Sequence, residues 1–130
     1  MNLDLRYPEL GWAIEAAQEK QAADITALHL KDLGAFAEYF LLCTALSTPQ
    51  MQAIASEIEE QLSERGVRLA HTEGRNSEEW MLLDYGSLVV HIFSQRARVF
   101  YDLERLWRSA KRLDILPAGP QAAAGGTKRP

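Results

Sequence analysis

The sequence has a single cysteine, Cys43, so no disulfide can form within one chain. No apolar run approaches the roughly 20 residues that a membrane-spanning helix needs. The first residues carry Asp4 and Glu9 before any apolar stretch, and they lack the basic and apolar regions of a secretory signal. These absences predict a protein of the reducing cytoplasm, in which Cys43, within the apolar run 39–46, is a buried structural thiol.

Motifs that carry enzymatic chemistry are also missing. No Asp-x-Asp or Asp-x-Glu pair stands at the end of a predicted strand, where it would hold a divalent metal with a nucleotide. The isolated glycines form no phosphate-binding loop. The residues with metal-ligand chemistry do not have zinc-motif spacing; they are His29, His71, His91 and Cys43. The residues alone therefore support no catalytic site, metal or cofactor.

Charge is distributed unevenly. The chain has 14 basic and 18 acidic residues, and its net charge is −4. Residues 1–95 hold 6 basic and 15 acidic side chains, whereas residues 96–112 hold 6 basic and 2 acidic ones. An acidic body argues against general nucleic-acid binding and suits a basic partner. The basic segment is either a solvated helix face or a local contact with phosphate.

A length of 130 residues, of which 47% are hydrophobic and 25% charged, predicts one globular domain. Apolar spacing predicts helices at 8–20 and 49–65, the second capped by Thr48 and ended by Gly66. Strands are predicted at 25–30, 39–44, 67–71, 79–85 and 88–93, with 39–44 buried in the sheet centre. Together they predict an α/β fold with a mixed five-stranded sheet flanked by helices.

The C-terminal part is predicted as one helix from a Ser94 cap to about residue 110. In a continuous helix its apolar residues share one inner side; they are Val99, Phe100, Leu103, Leu106 and Trp107. Residues 1–116 would then form the domain. The Ala, Gly and Pro-rich residues 117–130 are expected to be a flexible tail.

Gly86 and Ser87 predict a tight hairpin turn between strands 79–85 and 88–93. Pairing outward from the turn places Met81, Leu83, Tyr85, Leu88, Val90 and Ile92 on one face, which reads as core. The opposite face carries Trp80, Leu82, Asp84, Val89, His91 and Phe93. Either a helix of the same domain covers this second face, or the face binds a protein partner. Asp84 is the expected hydrogen-bond partner of His91.

Several ordered motifs cover most of the chain. They are A-D-I at 23–25, A-E-Y-F at 37–40, C-T at 43–44, Q-A-I-A at 52–55, E-G at 73–74, W-x-L-L-D-Y-G at 80–86, V-V-H-I-F at 89–93 and F-Y-x-L-E-x-L-W at 100–107. From about residue 23 to 111 the chain thereby resembles the ribosomal silencing factor family, also called the Iojap family. The resemblance implies a fold similar to nucleotidyltransferases but without their catalytic carboxylates, and no enzymatic activity.

The resemblance also implies the partner. Family members bind the basic ribosomal protein L-fourteen on the large ribosomal subunit, block subunit joining, and lower translation when nutrients are short; off the ribosome they are homodimers. A nucleotide-using enzyme and a purely structural dimerisation module are the alternatives. Carried onto this chain, the implied partner-binding residues are Trp80, Asp84, Tyr85, Gly86 and His91, with Glu73 and Gly74 as neighbours; Leu82, Val89 and Phe93 share the hairpin face. Ser87 departs from the Asp usual in the family, which removes one carboxylate near a basic partner.

Overall fold

A mixed sheet forms the middle of the computed structural model, which describes residues 7–30 and 36–115. In chain order the elements are α1 (Pro8–Glu19), β1 (Ala23–His29), β2 (Tyr39–Ala45), α2 (Thr48–Glu64), β3 (His71–Glu73), β4 (Trp80–Asp84), β5 (Leu88–Ser94), α3 (Gln95–Tyr101), α4 (Leu103–Leu106) and β6 (Lys111–Leu113). The strand order is β3-β4-β5-β2-β1-β6. The expected tail at 117–130 lies outside the described residues.

The centre of the sheet is a parallel pair, β2 beside β5, in which Tyr39 lies opposite Leu88 and Ala45 opposite Ser94. The other neighbouring strands are antiparallel. Both faces of β2 are covered, since Leu41, Leu42 and Cys43 are all fully buried. The prediction of a central strand from its continuous apolar run is confirmed.

The helices α1 and α2 pack on one face of the sheet. The apolar stripe of α2, which includes Met51, Ile54 and Ile58, is buried there as predicted. The cap differs by one residue, because the side chain of Ser47 and not of Thr48 accepts the N–H of Gln50. Gly66 ends the helix with φ +80°, a conformation that glycine adopts without strain.

The helices α3 and α4 pack on the opposite face, and the prediction of one helix through residues 94–110 is wrong. Ser94 caps α3 as expected, by accepting the N–H of Ala97 at 3.0 Å. Asp102 then adopts φ +45° and interrupts the helix. The interruption changes the helical phase. Leu103 and Trp107 pack against the sheet, whereas the other apolar residues of the predicted helix are exposed; they are Val99, Phe100 and Leu106.

An ion pair holds the two short helices together across that interruption. Arg98 donates to both carboxylate oxygens of Glu104, each at 3.0 Å. The same guanidinium donates to the hydroxyls of Thr44 at 2.9 Å and Thr26 at 3.2 Å. Arg98 therefore ties α3 and α4 to two strands, and it lowers the pKa of Glu104 because its hydrogen bonds favour the carboxylate.

Two strands differ from prediction. A sixth strand, β6, pairs with β1 and sets Leu113 opposite Ala27; its three residues are too few and too polar to give an apolar pattern. The strand predicted at 67–71 is wrong, because β3 begins only at His71. Val67 and Leu69 instead pack against the core from the connection that follows α2.

Candidate partner-binding surface

The hairpin of β4 and β5 has the predicted register, with Trp80 opposite Phe93 and Asp84 opposite Val89. Gly86 adopts φ +90° at the first central position of the turn. Its N–H donates to Asp84 Oδ1 at 2.8 Å, which secures the turn from one flanking strand. Gly86 thus lies at the tip of the hairpin and sets its geometry, while the side chains on either strand form two distinct faces.

The face predicted as core is buried against α1 and α2; its buried members are Met81, Leu83, Leu88, Val90 and Ile92. Tyr85 belongs to this side and is half-buried. Burial, and next the carboxylate of Glu59, raise the pKa of Tyr85 to about 12. Tyr85 therefore does not share a surface with the other candidate residues, despite its place in the same motif.

The opposite side, here called the hairpin face, consists of Trp80, Leu82, Asp84, Val89, His91 and Phe93. The helices α3 and α4 cover part of it, so that Phe93 is 1% and His91 4% exposed. The other four side chains remain partly accessible. The explanation that a helix of the same domain covers this face is correct for one part of it. The rest is open, and binding of a protein partner there stays a prediction.

The edge strand β3 extends the open part of the hairpin face. Glu73 lies opposite Leu82, and directly opposed residues of an antiparallel pair point to the same side. Its carboxylate is exposed and lies 3.0 Å from Nε2 of His71. With Asp84 beside it, the open half of the hairpin face combines apolar side chains with two carboxylates.

Trp80 is fixed by a hydrogen bond, because its indole Nε1 donates to Nδ1 of His91 at 3.1 Å. Burial lowers the pKa of His91 to about 4, so the imidazole is neutral at pH 7. A neutral imidazole that accepts at Nδ1 carries its proton on Nε2. That buried Nε2 has no hydrogen-bond partner among the described residues. The rings of Phe40 and His91 pack in a T-shaped arrangement with their centroids 4.6 Å apart.

The expected pair of Asp84 with His91 is therefore wrong. Asp84 accepts the Gly86 N–H at the turn, while the imidazole accepts from Trp80. The two side chains are on the same face but in different positions of the ladder, where Leu82 and not Asp84 lies opposite His91. His91 supports the face from beneath and does not present its ring to solvent.

Gly74 acts through the backbone at the start of β4. It has φ +75°, and a Cβ at this position would meet the carbonyl oxygen of Trp80. Nearby, Ser77 Oγ accepts the backbone N–H of Trp80 at 3.2 Å and of Glu79 at 3.0 Å. Gly74 and Ser77 therefore determine where β4 begins and how Trp80 enters the face.

Sequence reasoning missed the outer side of α3 and α4. Val99 is 78%, Phe100 77% and Leu106 70% exposed, although all three were expected to pack inward. The expectation assumed a continuous helix, and the left-handed Asp102 invalidates it. The F-Y-x-L-E-x-L-W motif, which begins at Phe100, contains three exposed side chains, Phe100, Tyr101 and Leu106, but its spacing does not mark them as exposed.

The metal-ligand and nucleophile candidates do not converge. His29 lies 3.5 Å from Glu38, His71 pairs with Glu73, and His91 accepts from Trp80. Over residues 7–30 and 36–115 no group of three or more His, Cys, Asp or Glu side chains is arranged to hold a metal ion. Burial raises the pKa of the Cys43 thiol to about 12, which leaves it protonated and unreactive.

The sequence model described as "ribosomal silencing factor during starvation" matches residues 6–129. The chain belongs to the ribosomal silencing factor family. Its relatives include a ribosomal silencing factor of Bacillus subtilis, 41% identical over 103 residues, which cover 79% of this chain and 87% of the relative.

Other members agree in sequence and in structure. The chloroplast protein Iojap of Arabidopsis thaliana is 31% identical over 109 residues, which are 82% of this chain and 45% of that longer one. A crystal structure of a Chromobacterium violaceum protein superimposes with a TM-score of 0.77 at 30% identity, over 91% of this silencing factor chain and 98% of the other. The α/β fold is thus shared with a solved structure. None of the helices within the described ranges has both the length and the apolar character to cross a bilayer.

Proposed function

We propose that this silencing factor binds ribosomal protein L-fourteen on the large ribosomal subunit and blocks joining of the small subunit. It thereby represses translation in the cytoplasm under nutrient limitation, without a catalytic reaction or a cofactor. The partner is the one that the resemblance to the family implies. The observation that carries the proposal for this chain is the open half of the hairpin face, where Trp80 and Leu82 lie beside exposed or half-exposed carboxylates.

Charge supports a basic protein as the partner. Residues 1–95 are strongly acidic overall, and Glu73 and Asp84 stand at the open face itself. Opposite charge accelerates the encounter and orients the partner, whereas a half-buried tryptophan supplies contact area once water is excluded. In this proposal Trp80, Leu82 and Val89 contact the partner, while His91, Phe93 and Gly74 hold those residues in place.

The basic C-terminal segment is proposed to make a minor contact with ribosomal RNA. Arg105, Arg108 and Lys111 are exposed, and the side chain of Arg112 is 63% exposed although it pairs with Glu104. Such cations suit the phosphate backbone of a neighbouring RNA segment. Off the ribosome, we propose a homodimer, as the resemblance implies.

The deciding experiment is co-sedimentation of the purified protein with isolated large and small ribosomal subunits. We expect the wild-type chain to sediment with the large subunit alone, and Trp80→Ala to bind at least about tenfold more weakly. If Trp80→Ala still binds the large subunit, the proposed function stands but the interface lies elsewhere on the chain. Absence of binding to either subunit would exclude the ribosomal role and favour the dimerisation module.

The enzyme alternative has its own test. A protein that binds nucleotide with magnesium is stabilised by its ligand in proportion to the logarithm of the ligand concentration. We expect no change in melting temperature when the silencing factor is titrated with nucleoside triphosphates and Mg²⁺. A concentration-dependent rise would instead support a nucleotide-using enzyme.

A further inference from the structure

An aromatic row continues the hairpin face onto α3. The ring centroids of Trp80 and Tyr101 are 4.6 Å apart, and those of Tyr101 and Phe100 are 5.0 Å apart. The row formed by these three residues, here called the aromatic row, runs from the half-buried Trp80 to the largely exposed Phe100. The hairpin face is therefore continued beyond the sheet by residues of α3.

The outer part of the row contributes little to folding. The sheet-facing side of α3 is supplied by Ala97, which is buried, and Arg98, whose guanidinium reaches Thr44 and Thr26. Phe100 and its neighbour Val99 remain exposed in the folded chain. A contiguous apolar patch on the surface is typical of a protein-binding site.

A groove lies against the row, with a volume of about 310 Å³. Its lining residues are Glu79, Arg96, Ala97, Phe100 and Tyr101. Arg96 donates to Glu79 at 3.0 Å, and Ser94 donates to the same carboxylate at 2.7 Å. The charged wall is thus neutralised internally, and the groove offers a partner mainly the rings of Phe100 and Tyr101.

These features favour a protein partner over RNA at this site. Phosphate binding requires a surplus of cations, whereas the charged side chains that line the groove are one arginine, Arg96, and one glutamate, Glu79, so the lining has no net positive charge. Val99, which precedes Phe100 in the chain, is also exposed, and its aliphatic side chain adds apolar contact area but no stacking surface for a base. Trp80 and Tyr101 are in contact, which makes the groove continuous with the proposed partner-binding face.

We propose that the partner protein that docks on the hairpin face extends across the aromatic row and seats an apolar side chain in the groove against Phe100. The inference rests on the proposed function and adds a second anchor to it. One continuous interface then runs from Leu82 through Trp80 and Tyr101 to Phe100.

The test measures binding of Phe100→Ser to isolated large ribosomal subunits beside the wild-type chain. Phe36→Ser is the matched control, because Phe36 is fully exposed and precedes the start of β2, whereas α3 begins beside the other end of that strand. We expect Phe100→Ser to bind about tenfold more weakly and Phe36→Ser to bind as the wild type does. Thermal unfolding of all three chains should coincide, since neither phenylalanine is buried.

The outcomes separate this inference from the proposed function. Wild-type binding with undiminished binding by Phe100→Ser overturns the second anchor and leaves the function intact. An equal loss of subunit binding in Phe36→Ser also overturns the second anchor, because removal of any exposed phenylalanine would then weaken binding. If light scattering shows that Phe100→Ser loses self-association and keeps subunit binding, the occupant is a second copy of this chain and the inference is overturned. A wild-type chain that binds no subunit overturns both.

Discussion

The indole N–H of Trp80 is donated to Nδ1 of the buried His91 at 3.1 Å. The only polar atom of the tryptophan side chain is therefore used within the molecule. To the proposed partner, Trp80 offers ring surface but no hydrogen-bond donor. The orientation of its side chain is fixed before binding. A preoriented side chain loses little conformational freedom on association, which favours affinity.

Trp80→Phe tests whether the partner needs only an aromatic ring at residue 80 or also the indole N–H. We expect it to bind large ribosomal subunits within about threefold of the wild type, whereas Trp80→Ala weakens binding about tenfold or more. Trp80→Phe should also lower the free energy of unfolding by about 1 kcal/mol, because His91 loses its donor. Subunit titrations and urea unfolding measure the two effects. A loss with Trp80→Phe as large as with Trp80→Ala would show that the partner needs the N–H itself.

Acid should destabilise the protein through His91. Its pKa is lowered from 6.5 to about 4 in the folded chain, so the unfolded chain binds the proton more tightly. The stabilisation is complete above pH 6.5 and is lost as the pH falls toward 4. Between pH 7 and pH 5 we expect a loss of about 2 kcal/mol in the free energy of unfolding.

His91→Asn is the matched control for the acid effect. An asparagine oxygen accepts the Trp80 N–H but does not titrate. The variant should therefore lose clearly less stability between pH 7 and pH 5 than the wild-type chain. Identical pH profiles for the two proteins would exclude His91 as the origin of the loss.

Two glycines with positive φ allow a comparison of backbone strain with steric exclusion. Gly66 has φ +80° with open space where a Cβ would lie, whereas at Gly74 a Cβ would meet the Trp80 carbonyl oxygen. We expect Gly66→Ala to cost about 1 kcal/mol and Gly74→Ala about 3 kcal/mol in unfolding free energy. Only Gly74→Ala should also weaken subunit binding, because it displaces Trp80. Equal costs would show that the loop before β4 relaxes freely.

Arg98 should be the most sensitive residue of the C-terminal helices. Its side chain is 10% exposed and bonded to Glu104, Thr44 and Thr26. Arg98→Ala leaves buried polar groups without partners and should cost about 3 kcal/mol. Arg96→Ala removes a solvent-exposed pair with Glu79 and should cost much less. Urea unfolding and amide exchange in α3 and α4 measure the difference, and equal losses would contradict the assigned role.

Patterns with a single local cause were predictable from the sequence. The hairpin register followed from Gly86 and strand alternation, and the stripe of α2 followed from helical spacing. These features depend on neighbouring residues, so one sequence carries the needed information. The central position of β2 was predictable for the same reason, because a continuous apolar run indicates burial on both faces.

The features that sequence reasoning missed arise from distant contacts. The helix break at Asp102 accompanies the bonds of Arg98 to strands more than fifty residues earlier. The strand β6 exists because β1 offers an edge to a polar segment. The true partner of His91 depends on which ring nitrogen Trp80 approaches, which spacing along the chain does not encode. Because the helix break at Asp102 was not predicted, the exposed Phe100 was assigned to the core.

The parallel pairing of β2 with β5 also determines the order in which the chain can fold as it is made. Ala45 meets Ser94 in the centre of the sheet, so that ladder cannot close until the second half of the chain is available. The antiparallel pair β1 and β2 is complete much earlier. A nascent chain that ends before β5 therefore holds β2 with one long edge unpaired, and a chain truncated there has an aggregation-prone strand where the mature protein has its most protected one.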